Sequence, residues 1–499
     1  MPFVGYWAED QAMRIALVHA PLQSMISDRA LGYQTPLGLL TLAGPLLDRG
    51  FPVDLVDAAR DQLTDEQIVQ RLGRIRPDIV MVGHSASTKA HAGSLRLLRA
   101  VKESLPNAVT IYGGVHPTYH FQEILANHPA VDVVVRGEGE ETVLDLVASL
   151  SQVFGAQPDE TFASNTNEAL SQVAGIAWRR DGRVILNAPR PPLEDLDSHR
   201  IAWELIPDWD RYQAFGIGRT AVVQFSRGCP HRCTYCGQWH FWQRWRHRDV
   251  TRFVDELEFL HREHAVQFFW FADENPTTDK QVWQALLEEI GRRDMRTGMT
   301  CSIRSQDIVR DVDILDLYRR AGFLYVLMGV ETVTDETLRK VRKESSVSDA
   351  CQAVRLLREH GILSIIDYIF GLEEETPGTI WRALRGLHRY DSDFVNALYL
   401  TPYSWTAAGH EVHEREIVEE DLSKWDCRHQ VVALKGISPA QLFVGAKLVE
   451  LLYHLHPRRV WRAATATDRR LRRHFGFAYR HVIGVFWDEV REFLRRRSG

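Results

Sequence analysis

The chain runs to 499 residues, 45% hydrophobic and 25% charged, with a formal net charge of −6, which predicts two or three domains of ordinary soluble composition. No apolar run reaches the roughly 18 residues that span a bilayer, and Met1–Arg14 lacks the basic-then-apolar layout of a secretory signal, so a cytoplasmic home is expected. The acidic balance excludes a general nucleic-acid binder, which needs a basic face, and six cysteines in such a length exclude a disulfide scaffold.

Residues 1–150 alternate strand and helix patterns. Short β-rich runs at Arg14–His19, Val53–Asp57, Asp78–Gly83, Val109–Tyr112 and Val131–Val135 are separated by amphipathic stretches such as Leu37–Asp48 and Ser94–Ser104. Such alternation predicts an α/β fold, a doubly wound, Rossmann-like parallel sheet with ligands at the carboxyl ends of its strands. The loops at that edge are His19–Tyr33, His84–His91, Gly113–His120 and Arg136–Glu141, several of them rich in Gly, Ser and His.

Residues 151–215 read as a connecting segment. The stretch 151–172 is polar and predicts a loose connection, whereas Asp181-Gly182 between Gly175–Arg180 and Arg183–Asn187 predicts a hairpin. Pro189, Pro191 and Pro192 then punctuate the chain. From 216 to 405 a second alternation offers strands at Ala221–Phe225, Gln267–Ala272, Gly298–Ile303, Tyr325–Gly329, Ser364–Phe370 and Asn396–Leu400. Six βα-like units predict a partial barrel with chemistry at the carboxyl ends of its strands. Residues 406–499 predict a helical region, and from Arg458 to Arg497 twelve arginines face four acids.

Directly after the first barrel strand stands Ser226-Arg227-Gly228-Cys229-Pro230-His231-Arg232-Cys233-Thr234-Tyr235-Cys236. Cys-x3-Cys-x2-Cys offers three thiolates to one site. A 4Fe–4S cube normally takes four, so three leave one iron open to another ligand. A structural zinc is the competing reading, with His231 or His240 as its fourth ligand. Cys301, Cys351 and Cys427 are scattered and read as small buried hydrophobes.

Cys-x3-Cys-x-aromatic-Cys at the start of a partial barrel resembles the radical S-adenosylmethionine (SAM) superfamily. The resemblance implies a 4Fe–4S cluster on Cys229, Cys233 and Cys236, with SAM chelated to the open iron. It implies further that Tyr235 lies beside the adenine and that Asp273 and Glu274 grip the amino group. Arg304 would meet the carboxylate and Glu331 the ribose.

Residues 13–145 resemble the cobalamin-binding domain that precedes the barrel in one branch of this superfamily. The likeness is carried by Thr35-Pro36-Leu37-Gly38-Leu39, Gly113-Gly114-Val115-His116-Pro117 and Arg136-Gly137-Glu138-Gly139-Glu140. Ser85, Gly113, Gly114, His116, Gly137 and Glu138 are the implied contacts. The Asp-x-His-x-x-Gly run that supplies a lower histidine ligand elsewhere is lacking, so no such ligand is expected from His84, His116 or His120.

Gln238-Trp239-His240-Phe241-Trp242, Phe271-Ala272-Asp273-Glu274 and Tyr399-x-Thr401-Pro402-Tyr403 are similar to the anaerobic oxidative cyclases of bacteriochlorophyll synthesis. That likeness implies a magnesium tetrapyrrole substrate and a reducing partner such as flavodoxin or ferredoxin. Trp239, Trp242 and Tyr403 would face the flat macrocycle, and core packing is their other reading. The alternatives are a cobalamin-dependent radical methyltransferase and a metal-bearing regulatory protein without turnover. The arginine-rich, aromatic-bearing tail offers peripheral contact with the inner face of a membrane, or a simple helical cap.

Overall fold

A computed structural model describes residues 13–21, 33–84, 87–154, 162–214, 216–412, 417–466 and 469–497. The chain divides into two compact units, one of residues 1–23 and 36–207, the other of residues 24–35 and 208–499.

The first unit is built on β1 (Ile15–His19), β2 (Val53–Asp57), β3 (Ile79–His84), β4 (Val109–Gly114), β5 (Val133–Val135), β6 (Ile176–Arg180) and β7 (Arg183–Leu186). They form one sheet in the order β2-β1-β3-β4-β5-β6-β7. The first five strands are parallel. Ile15 and Leu17 enter the core on one face while Ala16 and Val18 enter the core on the other. Both faces are thus covered by helices, which is why these strands read as unbroken apolar runs rather than alternations. Strand order reverses between β1 and β3, where such sheets open a crevice for ligands.

Asp181 and Gly182 both have positive φ, 49° and 75°, the geometry of a type I′ hairpin turn. The resulting hairpin belongs to this sheet, β6 pairing antiparallel with β5 and β7 with β6. Trp178 is thereby 1% exposed, and its indole N–H donates to Asn187 Oδ1 at 3.0 Å. The loose connection expected over 151–172 is not what forms: Phe162–Ser171 is a helix. Leu170 and Val173, set among polar neighbours, bury into the core of the first unit and anchor it.

The second unit holds β8 (Gln213–Ala214), β9 (Gly218–Val223), β10 (Ser226–Arg227), β11 (Arg246–His247), β12 (Phe268–Phe271), β13 (Gly298–Ser302), β14 (Phe323–Glu331), β15 (Leu363–Phe370) and β16 (Phe394–Tyr399). Its main sheet runs β16-β15-β14-β13-β12-β9-β8, with β10 and β11 as a separate ribbon. The six strands from β9 to β16 in this sheet are parallel, and helices intervene in sequence, giving the partial barrel.

An open barrel exposes a strand edge, and unpaired edge amides invite unwanted pairing. Here helix Pro439–His454 covers the β16 edge with side chains. Val395 N–H donates to His454 Nε2 and Ala397 N–H to Glu450 Oε1, each at 3.2 Å. His454 Nδ1 donates to the Glu450 carbonyl at 2.8 Å, so the ring is the neutral tautomer, and burial keeps it so. The Lys447 ammonium bridges Glu450 and Glu489, and Arg428 pairs with Glu489 at 2.9 Å.

Replacing Lys447 with Met leaves two buried carboxylates short of a cation, and breaking such a network costs about 3–5 kcal/mol. Urea unfolding followed by circular dichroism is expected to show that loss, and adding Glu489→Gln to recover part of it.

Candidate active site

The segment that carries the three clustered cysteines leaves β9 and is held on both sides of residues 229–232. Asp273, just beyond β12, accepts from Phe225 N–H at 3.1 Å, from Ser226 N–H, and from Ser226 Oγ at 2.6 Å. Burial raises this carboxyl to about 7 against the pull of those donors. Gly228 has φ 92°, and a Cβ there would lie 2.2 Å from the Arg244 carbonyl oxygen; only glycine fits. Its N–H donates to Glu274 Oε2 at 3.2 Å. Burial, then the neighbouring Asp273, raises Glu274 to about 7. Further on, Thr234 N–H donates to Val341 O at 3.1 Å, Ala408 N–H to Thr234 O at 3.0 Å, and the Trp239 indole to Cys233 O at 3.3 Å.

The three thiols sit within each other's field. Burial raises Cys229, and pushes Cys236 up to about 12; proximity to the other thiols adds to both, while Lys343 opposes it at both and Arg304 at Cys229. Cys301 is buried on β13, Cys351 points at Arg389 O at 3.7 Å, and Cys427 lies 3.9 Å from the Tyr403 hydroxyl. His231 pairs with Glu344 at 2.7 Å, and His240 stacks on Trp239. Among the described residues, no group of three or more His, Cys, Asp and Glu converges as a site for one metal ion. A cube places each thiolate on a different iron, so its ligands need not meet at a point as those of a lone tetrahedral ion must.

Beside the thiols lies a buried ion pair. Lys343 Nζ is 2.6 Å from Glu331 Oε1, both residues under one-tenth exposed, and also donates to the Tyr235 hydroxyl at 3.3 Å. Glu331 closes β14 at φ 62°, after a register shift at Gly329. A Cβ on Gly329 would stand 2.0 Å from Glu331 Oε1 and 2.8 Å from Lys343 Nζ, so that glycine makes room for the pair. Arg304 donates to Lys343 O, to Glu344 O at 3.2 Å and to Gln306 Oε1 at 3.1 Å. Tyr235, Arg304 and Glu331 are thus gathered at one place.

Sequence reasoning missed Lys343, because it lies in the segment after β14 and not at a strand end. It missed Asp367 too, a half-buried acid on β15 raised to about 6 by desolvation and held by Asn396 Nδ2 at 2.8 Å. An aspartate inside the apolar run Ile365–Phe370 was the available signal.

The expected aromatic residues divide. Trp239 and Tyr403 both belong to the surroundings of the cysteine segment. Tyr403 stacks on Trp405 at 5.1 Å, and a Cβ on Gly237 would meet Trp405 Nε1 at 2.2 Å. Trp242 packs edge-on to Phe241, with the Arg227 guanidinium 5.2 Å over its ring.

In the first unit, the carboxyl edge of the sheet carries the glycine turns. Gly114 has φ 115° and Gly137 φ 75°. Thr118 Oγ1 joins them, donating to Gly114 O at 2.7 Å and accepting from Gly137 N–H at 3.0 Å. A Cβ on Gly137 would meet nothing within 4 Å, so this backbone is open to close approach. Gly113 packs toward Val135, and Glu138 accepts from Leu193 N–H at 3.3 Å. His116 is 3% exposed, 3.1 Å from Thr88 Oγ1, and its ring lies between His91 at 4.2 Å and His120 at 4.3 Å. Ser85 falls outside the described residues. Glycine turns of this kind, beside neutral imidazoles, fit a large flat ligand of cobalamin's type.

Comparison with known proteins bears on both units. Residues 223–387 match the radical SAM superfamily and residues 24–147 the B12 binding domain. The chain is 43% identical over 475 residues to the anaerobic magnesium-protoporphyrin IX monomethyl ester cyclase of Synechocystis sp., covering 95% of this chain and 90% of that protein. It is 34% identical to the protein so named from Rubrivivax gelatinosus, over 81% of this chain and 70% of that one. Among solved structures, the radical SAM methyltransferase TsrM from Kitasatospora setae superposes with a TM-score of 0.68 over 90% of both chains, at 18% identity. That likeness is one of fold.

The histidine stack makes the first unit acid-sensitive. Burial holds His91 at about 4 and His116 at about 2, against roughly 6.5 in the unfolded chain. The unfolded state therefore binds more protons between about pH 6.5 and 4, so stability contributed by the neutral rings is lost as pH falls through that window. Denaturant midpoints across it are expected to fall more shallowly in a His91→Gln/His116→Gln variant than in the parent.

Proposed function

The chain belongs to the family of anaerobic magnesium-protoporphyrin IX monomethyl ester cyclases, and we propose that it acts on that ester, oxidising a propionate side chain and closing a fifth ring. It is a radical SAM enzyme, and its cofactors are a 4Fe–4S cluster, SAM and cobalamin. In this reading Cys229, Cys233 and Cys236 hold the cluster. The observation that carries it is that these three thiols share one pinned segment at the carboxyl end of β9, where Lys343 Nζ reaches the hydroxyl of Tyr235, which stands between Cys233 and Cys236, at 3.3 Å.

When bound and reduced, the cluster supplies the electron that cleaves SAM to methionine and a 5′-deoxyadenosyl radical. The chain's own residues bind and orient. Asp273 holds Phe225 and Ser226, and so positions the cysteines rather than gripping the amino group, which falls to Glu274. Arg304 brings positive charge for the carboxylate, Glu331 serves the ribose, and Tyr235 lies beside the adenine. Lys343 neutralises Glu331 in a buried setting where an unpaired carboxylate would not stay ionised. Gly113, Gly114, His116, Gly137 and Glu138 form the cobalamin side, and Ser85, outside the described residues, is the further contact the resemblance implies. Trp239, Trp242 and Tyr403 face the macrocycle. A low-potential donor such as flavodoxin or ferredoxin supplies electrons, and the protein works in the cytoplasm with its C-terminal basic region at the membrane margin.

Anaerobic incubation with magnesium-protoporphyrin IX monomethyl ester, followed by mass spectrometry, tests the reaction. An oxygenated or cyclised product is expected; gain of a methyl group alone makes the chain a methyltransferase instead. Cys229→Ala, Cys233→Ala and Cys236→Ala are each expected to abolish bound iron and SAM cleavage, while Cys301→Ala, Cys351→Ala and Cys427→Ala keep the cluster's absorbance. Lys343→Met is expected to retain iron yet bind SAM about 10- to 100-fold more weakly, the worth of a charged hydrogen bond.

A further inference from the structure

The C-terminal helices of the second unit present an apolar face that none of the described residues covers. Among the described residues, ten of the fifteen large hydrophobic side chains left exposed lie after residue 443. Helix Pro439–His454 turns Leu442, Ala446, Val449 and Tyr453 inward. Val444, Leu448, Leu451, Leu452 and Leu455 are 38–54% exposed. At 3.6 residues per turn these five fall within an arc of about 100°. A helix that is apolar on both sides is either buried or partnered.

Helix Arg469–Arg497 lies antiparallel beside it. Phe443 stacks on Phe493 at 4.1 Å, Lys447 meets Glu489, and the Tyr479 hydroxyl donates to His454 O at 3.1 Å. Those contacts fix the rotation of both helices and bring Ile483 and Trp487, 53% and 54% exposed, to the same outward side as the leucine arc. Arg480 and Arg491 stand three and four residues from them on the long helix, along the edge of this face. Arg458, Arg473 and Arg480 are exposed and have no carboxylate partner among the described residues.

We propose that this two-helix face docks on the surface of an anionic bilayer. An aliphatic centre, a tryptophan and a border of arginines combine apolar burial, interfacial anchoring and attraction to acidic headgroups. A second copy fits less well, because two-fold pairing would lay arginine borders against each other with no row of exposed acids among the described residues of these helices to meet them. No described helix is long and apolar enough to cross a membrane, so the contact is peripheral. This deepens the membrane-margin part of the proposed function and does not depend on the reaction, since its test contains no substrate.

The full-length, cluster-loaded protein is floated with vesicles of phosphatidylcholine alone, or of phosphatidylcholine with phosphatidylglycerol. Flotation is expected with the anionic vesicles and is expected to weaken as salt rises, since screening acts within about 10 Å at 0.1 M. Leu448→Glu/Leu452→Glu is expected to abolish it. Arg473→Gln/Arg480→Gln is expected to lower partitioning roughly 25-fold, about fivefold per arginine. All four sites are exposed, and unchanged cluster absorbance confirms that the variants fold. Absence of flotation at low salt, equal flotation with neutral vesicles, or flotation indifferent to both variants overturns the proposal. So does a dimer in sedimentation equilibrium that Leu448→Glu/Leu452→Glu dissociates, which would assign the face to a second copy.

Discussion

The second unit depends on one buried carboxylate. Asp273 stands at the end of β12 and takes three donors from Phe225 and Ser226, the residues that lead out of β9. It thereby ties neighbouring parallel strands together just where the cysteine segment begins. A segment with no regular structure of its own needs each backbone group satisfied when it is buried. Here one strand end and two helices do that work: Glu274 beyond β12 serves Gly228, Val341 at the end of helix Asp335–Lys340 serves Thr234, and Thr234 in turn accepts from Ala408 in helix Ala407–Glu411. The thiols inherit their positions from strands whose register is set by the barrel, which is why a reactive site can be held on a loop.

Charge balance is the second constraint. In the proposed reading three thiolates and a cluster would call for cations nearby, and Lys343, bonded to Tyr235 between Cys233 and Cys236, stands there with Arg304 donating to its carbonyl. Both cations are buried, and buried cations persist only when paired or hydrogen-bonded. Lys343 finds Glu331, and Arg304 finds the carbonyls of residues 343 and 344. The segment after β14 is thus braced by the strand-end arginine and answers with a lysine to the strand-end glutamate. Gly329 permits this by leaving out the atom that would occupy the same space.

Much of this was legible in the sequence. Parallel strands covered on both faces announce themselves as apolar runs, so all eleven strands expected in the two alternating regions formed, with ends differing by a few residues. Asp181-Gly182 announced its hairpin because only a few residues tolerate positive φ there. What stayed hidden was tertiary. The helix Phe162–Ser171 has too few apolar residues to show a period and is held by Leu170 and the following Val173. The resemblance implied that Asp273 grips the amino group of SAM, yet its oxygens accept from two backbone amides and the Ser226 hydroxyl. Lys343 is one lysine in a charged stretch, and nothing local separates it from its solvated neighbours. Only the glycine two residues before Glu331 hinted that something must fit against that carboxylate.

The fold by itself does not choose the reaction, since a methyltransferase of 18% identity shares it over 90% of both chains. Choice must come from groups near the reacting centre that the shared strands do not dictate. In the proposed reading these are the aromatic residues, and two of them are not independent of the cysteines. Trp239 is hydrogen-bonded to the Cys233 carbonyl, and Trp405, on which Tyr403 stacks, presses on Gly237 so closely that no side chain fits. A change that shifts either ring therefore moves the cysteine segment as well. The surface that would hold the macrocycle, with Trp239 and Trp242 on the short helix Gln238–Trp242, and the segment that would hold the cluster are one packed body, which keeps the distance between substrate and radical source fixed.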